Sequence, residues 1–491
     1  MPSHSIADSP LSNADLAPTR PDQRTWGTYD IAALWVGLSI VITTYTLASG
    51  LIAAGMRWWQ ALLTVSLGNL IVLIPMLLNA HPGTKYGIPF PVLARASFGV
   101  RGANIAAMAR ALVACGWFGI QTWIGALALD TLLTTLTSSW TDVAGHRAIA
   151  FGAFWLLQVA IILRGMEGVR RLERYAAPLL LGGSLALLVW GFSAGNGIGN
   201  VFSASSQLIS DDQSFWALFA PGLAANIGYW ITLSLNIPDF TRFAKSQRSQ
   251  LIGQGVAMPL TMTGFSFIGI AVTSATIVVY DEPIWDPVAL IARLLADLPV
   301  LLVLAMVVVV IAQISTNMAA NVVSPSNDFS NLSPRSISFR LGGLITAVIG
   351  IISFPWKLYE DVGAYIFTWL VGYGSLLAAF AAVMIVDYWF LRRTELDVDD
   401  LYRPEGRYRF SNGYNVPALL AVLLAVLPVI PGFLNAATTE GGIVADPTFL
   451  DELYRYGIFV TFGIAAVAYL VLGRLGVGAP ATQRVSRATM E

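Results

Sequence analysis

Charge and cysteine are both scarce in this chain. Asp, Glu, Lys and Arg make up only 12% of its 491 residues, whereas 56% are hydrophobic. A soluble domain carries roughly a quarter charged residues, so the charges present here cannot cover the surface of a water-soluble protein. Lipid must therefore contact most of the surface. The single cysteine, Cys115, excludes an intrachain disulfide and a cysteine-based zinc site.

The sequence also lacks the signatures of several functional classes. With a net charge of −1, no basic block and no Walker-type loop, the chain gives no support to nucleic acid as a partner or to nucleotide hydrolysis. A membrane enzyme would need paired carboxylates or a histidine metal site, but His4, His81 and His146 fall in the N-terminal segment and in predicted loops. A channel would need a continuous polar pore, which bulky aromatics and interrupted helices argue against. We expect a transporter and not an enzyme.

Both ends of the chain are polar. Residues 1–27 are rich in Pro, Ser and Asp and contain no apolar stretch of the kind that a signal peptide requires. Residues 476–491 have a similar composition. We expect both segments to be disordered tails on the cytoplasmic side of a membrane.

Twelve long apolar runs lie between these ends. Each approaches the roughly twenty residues that a helix needs to cross a bilayer, and the runs are continuous rather than alternating, which excludes a barrel. The pattern predicts an all-α polytopic membrane protein, with the ninth run the weakest. The runs cover residues 29–54, 58–80, 103–130, 148–164, 174–194, 214–237, 252–280, 297–323, 338–354, 360–390, 415–436 and 455–474.

The distribution of Lys and Arg sets the predicted orientation. Most of the 28 basic residues fall in segments that share a side with the N-terminus, while the opposite loops collect acidic residues such as Asp211, Asp281 and Glu360. Because basic residues favour the cytoplasmic side, we expect both termini in the cytoplasm. The chain is then a multi-pass protein of the cell inner (plasma) membrane, and we expect it to work as a monomer.

Two of the runs contain residues that interrupt helices. The first has Thr43 and Thr44 ahead of Ala48-Ser49-Gly50, and the sixth has Ala220-Pro221-Gly222 followed by Asn226-Ile227-Gly228. These runs hold corresponding places if the first ten helices form two five-helix repeats, and paired broken helices mark the midplane site of many transporters. The alternative is that Gly and Pro are simply common in membrane helices.

Ionisable residues are rare at membrane depth. Arg110, Asp130 and Asp387 lie near the ends of predicted spans, where each could extend to the interface. No Asp, Glu or His falls clearly at the centre of a predicted helix, although a proton-relay transporter usually needs such a group. The pattern favours coupling to a metal ion held by neutral oxygen atoms, or no coupling.

Aromatic and neutral polar side chains cluster in the third and sixth runs. Trp117 and Gln121 are four residues apart and share one helical face. An indole beside a carboxamide suits a planar heterocycle, because the ring stacks while the amide offers donors and an acceptor. Tyr229 and Trp230 could cover the other face of such a ring. The alternative for all four side chains is helix packing.

The eighth run carries hydroxyl groups at helical spacing. Ala312, Ser315 and Thr316 share a face, and two hydroxyls together with carbonyls from a broken helix would suit a hard cation such as Na+. Asn321 falls on an adjacent face, where it could contact an organic ligand. The alternative is that the hydroxyls bond to carbonyls of their own helix.

Five motifs occur in order along the chain: HPGTKYGIPFPVLAR at 81–95, FGVRGA at 98–103, ALVACGWFGIQTWIG at 111–125, NIPDFTRF at 236–243 and STNMAAN at 315–321. They resemble the nucleobase:cation symporter-1 family, which includes permeases for hydantoins, allantoin, uracil, cytosine, purines and thiamine precursors. The resemblance implies a leucine-transporter-type fold. Residues 28–194 and 213–391 would then form two inverted five-helix repeats, and residues 414–475 would add two helices.

The resemblance also implies roles for individual residues. In this family the substrate ring lies between two Trp side chains, here Trp117 and Trp230, and the amides fall on Gln121 and Asn321. In the sodium-coupled branch the five ion ligands fall on the backbone carbonyls of Gly37, Ile40 and Ala312 and on the hydroxyls of Ser315 and Thr316.

The sequence departs from the family pattern in two places. Val41 occupies a position where the similar hydantoin branch carries Gln. Thr43 and Thr44 could supply the polar contact that this Gln would make. Gln121 stands where plant members carry Glu. The first departure weighs against hydantoin itself and the second against purines. We expect a symporter that imports a uracil, allantoin or hydantoin type of ring with Na+. The alternative is a proton-coupled cytosine or purine permease.

Overall fold

The computed structural model describes residues 6–164, 167–208 and 215–474. Within these ranges the chain is helical, and its only β-pairing is two isolated bridges. Twelve main helices follow the twelve apolar runs. In chain order they are α1 (Thr28–Ser39 and Ile42–Ala53), α2 (Trp58–Tyr86), α3 (Ala103–Leu136), α4 (His146–Arg164), α5 (Glu167–Ala194), α6 (Phe215–Asn236), α7 (Gln247–Tyr280), α8 (Pro299–Leu332), α9 (Phe339–Ile352), α10 (Gly363–Leu391), α11 (Val416–Thr438) and α12 (Gly457–Arg474).

The lengths of these helices fit a membrane protein. In the described ranges, ten are long and apolar enough to cross a bilayer, and the bent pair of α1 gives an eleventh when its two halves are taken as one span. The helix α9 has only 14 residues, which agrees with the weakness of the ninth run. The predicted all-α polytopic fold is therefore confirmed for the described ranges. The boundaries of the two inverted repeats stay a prediction.

The first helix breaks just after Ser39, with a bend of 55° between its halves. Ile40 (φ −86°, ψ 75°) and Val41 (φ −140°, ψ 154°) leave the helical region. Val41 N donates to Ser39 O, and Thr44 N donates to Val41 O, so neither amide bonds four residues back as in a regular helix. The carbonyls of Gly37 and Ile40 are thereby released from the helical ladder.

The interruption expected in the first run is present but lies at Ile40 and Val41, and the one expected in the sixth run is absent. Gly50 lies inside the second half of α1, well after the break. The helix α6 is continuous despite Pro221, and Asn226 Nδ2 bonds back to the carbonyl four residues earlier at 2.8 Å. A Cβ on Gly228 would lie 2.4 Å from Leu370 O of α10. In α6, then, the glycine permits close helix contact and does not break the helix.

The helices pack in two groups. The α3–α8 group consists of α3, α4, α8 and α9, in which α3 packs along each of the others. The α2–α6 group consists of α1, α2, α6 and α7, in which α2 packs along α6 and α7, and α7 packs along both halves of α1. The helix α5 contacts both groups, while α10 packs between α6 and α12.

The N-terminal segment differs from the predicted disordered tail over residues 6–27. Leu16 is fully buried, and its carbonyl accepts a hydrogen bond from Tyr402 Oη at 2.6 Å. Arg95 Nη2 donates to Leu11 O at 2.8 Å, and Asn13 Nδ2 donates to Ser330 Oγ at 2.8 Å. Backbone carbonyls of a polar segment are thus bound by side chains of the helical body. The second predicted tail, residues 476–491, lies outside the described residues.

Candidate substrate and ion site

Trp117 of α3 lies at the centre of an aromatic cluster. Its side chain is buried, and its ring meets Tyr229 of α6 edge-on at a centroid distance of 5.3 Å. Tyr365 and Trp369 of α10 contact the same indole at 6.1 and 6.4 Å. Trp117 Nε1 donates to Tyr373 Oη at 3.1 Å. The three helices α3, α6 and α10 therefore meet at this indole.

Tyr229 connects the aromatic cluster to the break in α1. Its hydroxyl hydrogen-bonds with Thr43 Oγ1 at 2.8 Å and with Thr44 Oγ1 at 3.1 Å. Its ring also contacts Trp230 at 4.9 Å, so Tyr229 touches both predicted stacking residues. Trp230 packs edge-on against Trp35 of α1 at 5.1 Å. The buried Trp230 Nε1 has no hydrogen-bond partner among the described residues.

The two predicted amides occupy different surroundings. Gln121 is 4% exposed, and its Oε1 accepts no hydrogen bond from any residue in the described ranges. Asn321 Nδ2 donates to Asn317 Oδ1 at 2.9 Å. Asn317 Nδ2 in turn lies 2.7 Å from Gln158 Oε1 of α4 and 3.2 Å from Thr122 Oγ1 of α3. Asn321 is therefore oriented by a polar network, whereas Gln121 Oε1 remains available to accept a hydrogen bond from a ligand.

The sequence interpretation missed two members of this network. Asn317 lies one helical turn before Asn321, and this i, i+4 spacing is a usable signal for a shared face. Gln158 is a single polar residue in the apolar run of α4, and its local sequence does not indicate which helix it contacts.

Four of the five predicted ion ligands line one cavity. Gly37, Ile40, Ser315 and Thr316 border a space of about 250 Å³ beside the break in α1. The fifth, Ala312, is buried next to this lining. Ser315 Oγ is buried and has no hydrogen-bond partner among the described side chains and backbone groups. A hydroxyl without a partner beside two released carbonyls is a ligand set that suits a hard cation.

A family of permeases matches most of the chain. The family model for permeases for cytosine/purines, uracil, thiamine and allantoin covers residues 18–460. The chain belongs to this family, the nucleobase:cation symporter-1 permeases. It is therefore a multi-pass membrane permease and not an enzyme.

Relatives and a solved structure agree with this assignment. The permease is 44% identical to the purine-uracil permease NCS1 of Arabidopsis thaliana, over 96% of this chain and 79% of that one. It is 39% identical to the allantoin permease of Bacillus subtilis, over 95% and 94% of the two chains. Its fold is similar to that of Mhp1, a nucleobase-cation-symport-1 family transporter in a closed conformation with bromovinylhydantoin bound (TM-score 0.77, 26% identity, 96% and 97% coverage). The predicted family and fold are confirmed.

Three ionisable residues of this permease are buried and have polar partners inside the protein. Arg110 is 1% exposed and pairs with Asp328 Oδ2 at 3.2 Å. Asp387 is also buried and pairs with Arg392 Nε at 2.6 Å. Asp130 is buried, and its Oδ1 accepts from Trp140 Nε1 at 2.8 Å and lies 2.7 Å from Nδ1 of His146, the first residue of α4. Each has a polar partner inside the protein, so none needs to extend to water.

Proposed function

We propose that this permease imports a small planar heterocycle of the uracil, allantoin or hydantoin type together with Na+. The observation that carries the proposal is the position of the break in α1. On one side of the break, Thr43 bonds to Tyr229 in the aromatic cluster. On the other side, Gly37 and Ile40 line the cavity that Ser315 also borders. A single distorted segment thus contacts both the candidate ring site and the candidate ion site.

The ring would lie between Trp117 and Trp230, with its polar edge facing the amides. Gln121 Oε1 and Trp230 Nε1 are buried without partners in the described chain, and each such group costs about 1–3 kcal/mol while it stays unpaired. A cyclic –NH–CO– edge offers an N–H to Gln121 Oε1. Heterocycles with this edge would therefore be preferred over apolar rings of the same size.

The ion would be held by neutral oxygen atoms. Across the described ranges, no three His, Cys, Asp or Glu side chains gather to hold a metal. Serine and threonine hydroxyls and backbone carbonyls do not titrate near neutral pH, which favours Na+ over a proton at this position. Bound Na+ would join α1 to α8 and so fix the segment that carries Thr43. Substrate and ion would then strengthen each other's binding, and rocking of the helix groups would alternate access.

The relatives support the choice of substrate class. The chain is similar to proteins named as purine-uracil and allantoin permeases and to a structure with bromovinylhydantoin bound. The second candidate is a proton-coupled cytosine or purine permease, and the 44% identity to a relative named a purine-uracil permease favours its purine part. We further propose that the protein lies in the cell inner (plasma) membrane with both termini in the cytoplasm, as the distribution of basic residues predicts.

A competition uptake assay tests this proposal. Purified protein in liposomes would take up labelled uracil or allantoin, driven either by an inward Na+ gradient or by an inward proton gradient. We expect the Na+ gradient to drive uptake, and we expect uracil, allantoin or hydantoin to compete better than cytosine or adenine. Uptake that follows only the proton gradient, with cytosine or adenine as the best competitor, would support the second candidate instead.

A further inference from the structure

A buried ion pair joins α3 to the inner part of α8, outside the candidate site. Arg110 Nη1 lies 3.2 Å from Asp328 Oδ2, and both side chains are almost fully buried. Isolated charges in such surroundings are costly, and a buried pair often contributes no more to stability than apolar residues of the same volume would. Holding the fold together is therefore a weak explanation for this pair.

The polar contacts continue from this pair to α6. With the Asn236 amide oriented so that its nitrogen faces the Thr232 carbonyl (2.7 Å), its oxygen accepts from Arg110 Nη2 at 3.2 Å. Ser324 Oγ of α8 lies 2.7 Å from this amide oxygen and also 2.7 Å from Asp239 Oδ2, just beyond α6, and its single hydroxyl proton is donated to one of these two acceptors at a time. Together, Arg110, Asp328, Asn236, Ser324 and Asp239 are called the Arg110 latch below.

The latch crosses from one helix group to the other. Arg110, Asp328 and Ser324 belong to the α3–α8 group, whereas Asn236 and Asp239 belong to α6 and the segment that follows it. The main packing of α3 is within its own group, and that of α6 is on α2 and α10. A few polar contacts therefore span a boundary across which the apolar packing is sparse.

The latch lies at the end of the molecule that carries the N-terminal segment. Arg242, three residues after Asp239, donates from Nη1 to Asp15 O at 2.8 Å. Asp239 Oδ1 also accepts from Phe90 N at 2.8 Å, which adds the helix Phe90–Phe98 to the same end. With the N-terminus in the cytoplasm, this is the cytoplasmic end.

We propose that the Arg110 latch holds the two helix groups together at the cytoplasmic end and must open before substrate is released there. The inference rests on the proposed transport function, because it assigns these residues to one step of the transport cycle. Asn236 and the Arg110–Asp328 pair are positioning residues in this account. They set the balance between closed and open states and do not touch the substrate.

Alkylation of a single introduced thiol tests the latch. The chain has one native cysteine, so Cys115→Ala provides the background, and Ala107→Cys places a thiol one turn before Arg110 at a position that is fully buried. Asn236→Ala removes the contacts of Arg110 and Ser324 with α6, and it leaves the ion pair and the Ser324–Asp239 bond intact. The double change Arg110→Met, Asp328→Leu removes the pair without leaving a lone buried charge. The control is Asn104→Ala, because Asn104 accepts from Asn331 at 2.7 Å within the α3–α8 group.

The readout is the rate of N-ethylmaleimide labelling of full-length purified protein, without substrate and without Na+. We expect Asn236→Ala and the double change to raise the rate roughly five- to 150-fold, the usual range of conformational coupling, while Asn104→Ala leaves it unchanged. Rates equal to the background in Asn236→Ala would overturn the proposal, as would an equal rise in Asn104→Ala. If the double change does not fold, Asn236→Ala decides alone. A failed Na+ uptake assay would not alter these rates, so the two proposals fail separately.

Discussion

Replacing Gln121 by Leu tests the candidate ring site at the residue with the clearest free acceptor. Gln121 Oε1 accepts no hydrogen bond from the described chain, so Gln121→Leu removes no hydrogen bond to that atom. The side chain is buried in α3, and Leu has a similar volume. The substitution should therefore leave the thermal stability of the substrate-free protein unchanged or slightly higher.

The loss should appear only when substrate binds. A substrate N–H that meets Leu in place of the amide stays unpaired, at a cost of about 1–3 kcal/mol. At about 1.4 kcal/mol per tenfold change in affinity, substrate binding should weaken about five- to 150-fold. Thr122→Val is the matched control on the neighbouring residue, because Thr122 Oγ1 donates to Phe118 O at 2.6 Å and lies 2.9 Å from Gln158 Nε2. The control should lower stability, and it should weaken binding only through the network that orients Asn321, hence less than Gln121→Leu.

Two measurements on the same purified samples separate these effects. Substrate affinity would be measured by equilibrium binding of uracil or allantoin at saturating Na+, and stability by thermal unfolding without substrate. The account predicts weaker binding at unchanged stability for Gln121→Leu. A lower unfolding temperature together with wild-type affinity would refute it, because Gln121 would then be a packing residue and not part of the ring site.

Three other substitutions follow from the same geometry. Trp117→Ala should weaken equilibrium binding about five- to 150-fold, since stacking contributes roughly 1–3 kcal/mol per base, and Trp117→Phe should retain more; equal affinities for the Ala variant and wild type would count against stacking. Tyr229→Phe loses the bonds to Thr43 and Thr44 and should lower the free energy of unfolding by about 1 kcal/mol per bond; an unchanged thermal unfolding curve would contradict this. Asn317→Leu frees the Asn321 amide and should weaken substrate binding, whereas unchanged binding would show that the network does not position Asn321.

The twelve helices could be predicted from the sequence because a lipid-facing helix must be apolar over its whole length. Spacing alone also placed Trp117 with Gln121, and Ser315 with Thr316, on shared faces, since one helix fixes these relations. The family resemblance added the carbonyls of Gly37 and Ile40, which the break in α1 releases. The positions of these residues along their helices are as expected, while their roles in binding stay predictions.

Relations between helices were the part that the sequence could not supply. The break in α1 falls at Ile40 and Val41, whereas Gly50 lies inside a regular helix, so the position of the break does not follow from local helix propensity. Asp328 follows the apolar part of α8 in a polar stretch that resembles a loop. Hydropathy therefore does not predict that its side chain is buried against Arg110. The ordering of residues 6–27 likewise depends on partners far along the chain, such as Tyr402.

Sodium dependence of substrate affinity is the most direct test of the central claim. The measurement is equilibrium binding of uracil or allantoin to purified protein, with Na+ replaced by choline at fixed pH and then repeated across pH. Ser315→Ala combined with Thr316→Ala provides the site-specific comparison, because Ser315 Oγ has no partner in the described chain and its loss should not disturb the fold.

The account predicts that Na+ tightens substrate binding to the wild type, roughly five- to 150-fold for a coupling of usual size. Substrate should tighten Na+ binding by the same factor, and the double variant should keep only the weak affinity that does not depend on Na+. A wild-type affinity that ignores Na+ and changes with pH would contradict the sodium site and support proton coupling.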